Sequence, residues 1–220
     1  MDAGRQPGGQ AAIAGESMLV IGLTGGIGTG KSVVSEQMQA LGAVLINADR
    51  VGHEAYTPES EGWHAVVSAF GKEILQDSGE IDRRKLGGIV FSDPERMAEL
   101  NRIMHPLIAS MISDKLDELR SQEVRVAVVE AAILLEAGWE SLVEEVWATD
   151  SSVDAVIQRL FARNGMSEEE VRKRLSSQMD RAERLARVDV VVDNSGDMAQ
   201  LEKTVNSLWD SRVKKRIAHT

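Results

Sequence analysis

The sequence predicts an α/β protein of three layers, a five-stranded parallel sheet with helices on both faces, and three observations predict it. Five short runs rich in β-formers, Leu19–Leu23, Ala43–Asn47, Arg125–Val129, Glu145–Ala148 and Asp189–Val192, are separated by segments of helical periodicity. The first run leads through a glycine loop into a helix, in the stretch VIGLTGGIGTGKSVVSEQ at Val20–Gln37. At 220 residues the chain is long enough to bury one sizeable core and to carry an insertion.

In the first element, Val20, Ile21 and Leu23 form an apolar run too short for a helix and followed by glycines, which reads as a buried strand. Gly25 to Ser32 then read G-x-x-x-x-G-K-S. Glycines at this point let backbone N–H groups turn inward with no Cβ in the way. Val33, Val34, Met38 and Leu41 follow at helical intervals, so a helix over Ser32–Leu41 adds its N-terminus to an anion cradle. In a strand–loop–helix context Lys31 is placed to reach the β- and γ-phosphates of a nucleotide and the Ser32 hydroxyl to hold Mg²⁺. The expectation is ATP or GTP binding by a P-loop NTPase fold.

Beyond the second strand, residues 49–123 carry almost no strand signal. Ser92-Asp93-Pro94-Glu95 is a helix start, and Leu107, Ile108, Met111, Ile112, Leu116 and Leu119 give an amphipathic helix leading to the third strand. A helical insertion here sits over the carboxyl ends of the strands, where open α/β sheets bind ligands, and is read as the acceptor-binding part. The remainder of the core falls in 18–48, 124–150 and 188–215, within a single domain over 18–220. Residues 152–187 lie between the fourth and fifth strands. Ser167-Glu168-Glu169-Glu170 has the form of a capping box, which predicts a helix from about Ser167 to Met179. From Arg159 to Arg187 eight basic residues face five acidic ones, a net +3 inside a chain of net charge −10. Arg172, Lys173 and Arg187 fit a solvated helix face with ion pairs. Arg159 and Arg163, four apart on one face beside Leu160, have the spacing of a lid that closes over phosphates.

Composition narrows the function classes. A net charge of −10 argues against a general nucleic-acid binder. No apolar run approaches the roughly 20 residues of a membrane span. The absence of cysteine excludes disulfides, thiol catalysis and Cys-based metal sites and fits a cytoplasmic location. Residues 1–17, rich in Gly, Ala and Gln, read as a disordered extension without the apolar centre of a signal peptide. Asp49-Arg50-Val51-Gly52 matches the D-x-x-G of GTPase switches, but it follows Lys31 by only 18 residues and no N-K-x-D is present, so a switch is disfavoured. Asp49 instead offers a carboxylate at the end of strand two, expected beside strand one if sequential strands neighbour each other. It is either a base for an attacking hydroxyl or a helix N-cap.

From Leu19 to about Lys215 the chain resembles the dephospho-coenzyme A kinases. The motifs, in order, are LTGGIGTGKS at Leu23–Ser32, INADRVGHEAY at Ile46–Tyr56, GEIDRRKLGGIVF at Gly79–Phe91 and MHPLI at Met104–Ile108. VVEAAILLEAGW at Val128–Trp139, IQRLFARNGMSEEEVRKRLSSQ at Ile157–Gln178 and VVDNSG at Val191–Gly196 complete the set. The resemblance implies a nucleoside/nucleotide-kinase-like fold and transfer of the γ-phosphate of ATP, with Mg²⁺, to the ribose 3′-hydroxyl of dephospho-CoA. Gly28, Thr29, Gly30, Lys31, Ser32 and Val33 are then expected along the ATP phosphates, and Asn194 and Gly196 near the adenine. Asp49 takes the position of the general base, Arg159 and Arg163 those of lid arginines, and Arg83 and His105 those that shape the dephospho-CoA site. His105, preceding a proline, also reads as a helix-boundary residue. Where the family usually has Asp-Ala-Asp, this chain has Asn47-Ala48-Asp49; it also has Ala132 and Ile133 where the family often has Pro. Glu130 is either a contact to Mg²⁺ through water or a buried, paired carboxylate. Trp63, Trp139, Trp147 and Trp209 read as packing residues. The expected partners are small molecules, with the chain acting as a monomer or small homo-oligomer. A nucleoside or nucleotide kinase and a low-turnover nucleotide-binding regulator are the alternative functions.

Overall fold

The computed structural model describes residues 18–218, and the expected N-terminal extension, residues 1–17, lies outside them. Strand β1 (Leu19–Gly25) runs into the glycine loop and α1 (Lys31–Ala40), followed by β2 (Val44–Asn47). Helices α2 (Ala48–Glu54), α3 (Glu61–Phe70), α4 (Arg83–Val90) and α5 (Pro94–Ser121) form the insertion. Strands β3 (Val126–Glu130) and β4 (Glu145–Asp150) come next, then α6 (Val153–Asn164), α7 (Glu168–Ser176) and α8 (Arg181–Ala186). Strand β5 (Val190–Asp193), α9 (Met198–Leu208), a π-helical turn at Trp209–Lys214 and α10 (Lys215–Ala218) complete the described chain.

All five strands are parallel, in the order β2-β3-β1-β4-β5. The expected pairing of the first two strands is therefore corrected: β3 lies between them. Leu23 and Asn47 both pair in register with Glu130, so the last residue of β3 stands between the ends of β1 and β2. Connections leave β1 and β3 in opposite directions, which opens a crevice between their carboxyl ends, the usual ligand position in such sheets.

Period-2 alternation feeds two cores. Leu19, Ile21, Leu23, Val126 and Val128 face α1 and α9, with Trp147 and Trp209 buried among them. Val20, Ala127 and Val129 face the other way, onto residues of the insertion that include Phe70, Ile108, Ile112 and Leu116. The insertion thus shares its core with the sheet. A third, small cluster of Val156, Leu160 and Val171 packs against Ile27 of the glycine loop and holds α6 and α7 there.

Two sequence expectations change. The separate helix start at Asp93 and the helix through Leu119 are one element, α5, 28 residues long with Pro106 inside it. His105 is accordingly a mid-helix residue. A proline there costs a hydrogen bond and about 3 kcal/mol, but buried Met104, Ile108, Ile112 and Leu116, four residues apart, tie both halves to one core. Fully burying an aliphatic side chain contributes roughly 1.5–3 kcal/mol, so continuity wins. The helix that begins at Ser167 keeps its capping box but stops at Ser176. Asp180 accepts from the N–H groups of Ala182 and Glu183 at 2.8 and 3.2 Å and starts α8 as a separate helix.

Candidate active site

The glycine loop is braced from behind. Gly30 caps α1 at φ +93°, and a Cβ on it would stand 2.1 Å from Asn194 Nδ2, so handedness and space both demand glycine. That same Nδ2 donates to Thr29 O at 2.9 Å. Thr29 turns its hydroxyl inward, to Gly26 O at 2.8 Å and Thr149 Oγ1 at 2.7 Å. Val33 N donates back to Gly30 O at 3.1 Å, and Ser32 is exposed on the first turn of α1. Gly28, at φ +73°, lies under Val156 and Leu160 of α6.

Lys31 Nζ donates to Glu130 Oε1 at 2.5 Å, and Ser35 Oγ donates to Glu130 Oε2 at 3.0 Å. Glu130 is 4% exposed, so of the two sequence readings the structure displays the buried, paired carboxylate. It occupies the crevice between β1 and β3, together with Lys31.

At the end of β2 the two readings of Asp49 also separate. Asn47 is the N-cap of α2, its Oδ1 accepting from Arg50 N at 3.0 Å. Asp49 is exposed in the first turn, where the helix dipole favours its charge, and it is not the cap.

The insertion supplies a cleft of about 510 Å³ lined by His53, Tyr56, Gln76, Asp82, Arg83 and Arg84 among others. His53, on its lining, lies one turn along α2 from Asp49. Asp82 caps α4, and Arg83, its first residue, places its guanidinium carbon 5.9 Å from the centre of the Tyr56 ring. Burial raises the Tyr56 pKa and the Arg83 charge works against that rise. His105 is not among the residues lining this cleft. Its ring meets Trp139 edge to face at 5.8 Å, Trp139 Nε1 donates to His105 O at 3.2 Å, and burial holds the imidazole pKa below its usual value.

Neither predicted lid arginine donates a hydrogen bond to the glycine loop. Arg159 donates to Ser151 Oγ at 2.9 Å, Asn194 O at 2.5 Å and Gly196 O at 3.4 Å, tying the start of α6 to the loop after β5. Arg163 is exposed and donates to neighbouring Asn164 Oδ1 at 2.9 Å. The guanidinium that does reach the loop is Arg184, on α8, which sequence reasoning counted only among the basic residues. Its Nη1 lies 3.3 Å from where a Cβ on Gly26 would stand. Gln178 reaches the same place, its Oε1 accepting from Ile27 N at 3.0 Å. Gly26, Thr29, Asp150, Gln178, Arg181 and Arg184 are among the residues around a second cavity, of about 260 Å³.

The phosphate loop, a carboxylate across the crevice and a helical cleft beside it are the parts of a small-molecule kinase. The comparisons agree. The family model for dephospho-CoA kinase matches residues 19–200. A dephospho-CoA kinase of Geobacter sulfurreducens is 43% identical over 195 residues, 89% of this chain and 99% of the relative. A crystal structure from Thermus thermophilus has a TM-score of 0.74 at 29% identity, and the dephospho-CoA kinase of Campylobacter jejuni one of 0.67 at 26%, each covering 89% of this chain and 98% of the other. With the match spanning the glycine loop, the insertion, helices α6–α8 and β5, the chain belongs to the dephospho-CoA kinase family.

Proposed function

We propose that the chain transfers the terminal phosphoryl group of ATP to the ribose 3′-hydroxyl of dephospho-CoA, giving CoA and ADP. The observation that carries the assignment of roles is the pairing of Asn47 and Asp49. Asn47 meets the capping need of α2, which leaves Asp49 an exposed carboxylate free of the cap, one helical turn before His53 on the lining of the insertion's cleft.

In this reading the acceptor lies along the cleft with Arg83 at its charged end, and its 3′-hydroxyl is presented to Asp49. As the bond from the 3′-oxygen to phosphorus forms, Asp49 takes the hydroxyl proton. The bond from phosphorus to the β–γ bridging oxygen breaks, and its electron pair leaves with ADP. Such transition states are loose, so positioning and charge stabilisation dominate. Lys31 exchanges Glu130 for phosphate oxygens, and the backbone of Gly28–Val33 lies along the phosphate chain. Asn194 and Arg159 act by holding the loop and the turn after β5, toward the adenine. Arg163, on the outer end of α6, reaches the nucleotide only by movement of the lid. His105, packed on Trp139, shapes the acceptor side from beneath.

The nearby oxygen donors, the Ser32 hydroxyl and the Glu130 and Asp49 carboxylates, suit a hard cation. Among the described residues no group of three or more His, Cys, Asp or Glu is placed to hold a metal. This fits Mg²⁺, which keeps several waters and is bound largely through substrate phosphates. When bound it supplies positive charge to the β- and γ-phosphate oxygens. No helix among the described residues is long and apolar enough to cross a membrane. A cytoplasmic monomer or small homo-oligomer belongs to the same reading.

The deciding measurement is ADP formation from ATP and Mg²⁺ with no acceptor, with dephospho-CoA, and with adenosine or AMP. Stimulation by dephospho-CoA with equimolar CoA is the expected result. Equal ADP release without acceptor would point to a hydrolytic regulator, and release only with AMP to a nucleotide kinase.

A further inference from the structure

Three arginines, Arg181, Arg184 and Arg187, stand at i, i+3 and i+6 on α8 and its C-cap. Each reaches the carboxyl end of a different strand or the segment just beyond it. Arg181 Nε donates to Asp150 Oδ1, at the end of β4, at 2.8 Å and its Nη2 to the other carboxylate oxygen, and the contact raises the arginine's already high pKa. Arg187 Nη2 donates to Leu135 O at 3.2 Å and Glu140 Oε1 at 2.6 Å, both beyond β3. Arg184 lies between them, over Gly26 beyond β1. The order of the three partners is the order of the strands, β4-β1-β3. The spacing fits as well, since three residues of helix rise about 4.5 Å and adjacent strands lie about 4.8 Å apart. Helix α8 therefore lies across the carboxyl edge of the sheet, and its outer arginines clamp it there.

The middle arginine is not balanced in the same way. Arg184 is 7% exposed, its Nε is buried with no hydrogen-bond partner, and Nη2 donates to Met179 O at 3.1 Å. Its acidic neighbour is Glu136, at 3.9 Å and itself 30% exposed. Taking a guanidinium out of water is costly unless it is paired and hydrogen-bonded. A group serving only as a bolt would resemble the two beside it. What Arg184 faces is the N-terminal part of the phosphate loop, where Ile27 N–H is held by the Gln178 amide oxygen. A phosphate oxygen that replaces Gln178 at this N–H arrives beside Nη1 and satisfies both groups.

We propose that Arg184 is a catalytic residue that contacts the terminal phosphoryl group of ATP and stabilises its charge during transfer, while Arg181 and Arg187 position the helix that carries it. The guanidinium stays protonated throughout and exchanges no proton. The inference rests on ATP occupying the phosphate loop, and not on the identity of the acceptor.

The test is calorimetric binding of ATP and of ADP, each with Mg²⁺ and without acceptor, to the full chain and to Arg184→Gln and Arg184→Lys. A contact to the terminal phosphate should weaken ATP by about 10-fold or more in Arg184→Gln, as expected for a lost charged hydrogen bond, and leave ADP within about 2-fold. The catalysed rate should fall about 10²–10³-fold at saturating ATP, the usual cost of one missing transition-state donor. Arg184→Lys keeps the charge and the stem and should recover part of both losses, and it carries the comparison if Arg184→Gln does not fold. Equal weakening of ATP and ADP, or no weakening of either, would overturn the proposal and leave Arg184 a structural clamp. A wrong acceptor assignment would show differently: the contrast between ATP and ADP would persist while dephospho-CoA failed to stimulate turnover.

Discussion

Lys31 approaches the phosphate loop from α1 and Arg184 approaches it from α8, and the two cations are kept in opposite electrostatic conditions. Lys31 is matched by Glu130, whose second oxygen is taken by Ser35, so the crevice holds a closed network. Arg184 has a backbone carbonyl, a distant Glu136 and a buried Nε without a partner. In the proposed mechanism the lysine therefore exchanges a carboxylate for phosphate, whereas the arginine gains a partner. A site built this way divides its work. The buried pair ties α1 to β3, and in the proposed mechanism α8 contributes charge that a bound phosphate would satisfy.

The comparison breaks most sharply at Lys31. Lys31→Met should abolish turnover to within detection, at least about 10²–10³-fold, because it removes a transition-state donor. It should also destabilise the fold by about 3–5 kcal/mol, the cost of leaving one partner of a buried pair unmatched. Adding Glu130→Gln removes the stranded charge, so thermal melts of the double variant should return most of the stability and none of the activity. If Lys31→Met melts like the parent chain, Glu130 is not held by the lysine and the contrast with Arg184 disappears. Asp49→Asn should lower kcat about 10²-fold. General bases contribute 10²–10⁴-fold, and a loose phosphoryl transition state calls for the low end. Because Asp49 is exposed and Asn47 is the cap, stability should fall by no more than the roughly 0.3–1 kcal/mol of a charge in the first turn of a helix. A larger drop in stability with unchanged kcat would make Asp49 a structural residue.

Between these effects lies the brace behind the loop. Asn194→Ala leaves Thr29 O without its donor and should cost about 1–3 kcal/mol, with a higher KM for ATP and an unchanged KM for the acceptor. Equal rises in both KM values would show that the loop after β5 supports the whole crevice and not the nucleotide half.

The contrast also shows what local sequence carries. All five strands were legible to within two residues because the central strands β1, β3 and β4 are buried on both faces and the edge strands β2 and β5 are still mostly apolar, which leaves short apolar runs between turn signals. The glycine loop was legible because its spacing follows from phosphate geometry. The order of the strands was not, since the segment joining β2 to β3 spans the whole insertion and nothing in β2 records which neighbour it will pair with. Pro106 concealed the continuity of α5, which depends on four buried contacts distributed along it. Among the arginines, the i, i+4 spacing of Arg159 and Arg163 placed them on one face but not against one partner. Arg181, Arg184 and Arg187 carry an i, i+3, i+6 row that sequence does display. Its meaning emerges only once the strand order shows that the row runs across β4, β1 and β3.

The smallest effect concerns His105. Burial lowers its imidazole pKa below the ordinary value of about 6.5. The folded chain therefore binds its proton less readily than the unfolded chain does, so stability from this group is complete above about pH 6.5 and is lost as pH falls through the depressed folded value. His105→Gln cannot take up that proton. Melting curves recorded from pH 8 down to pH 5 should diverge, with the parent chain losing stability faster than His105→Gln below about pH 6.5 and the two running parallel above it. Parallel curves throughout would mean that the ring reaches water when charged and that its packing on Trp139 is loose. That outcome would leave His105 free to approach an acceptor phosphate.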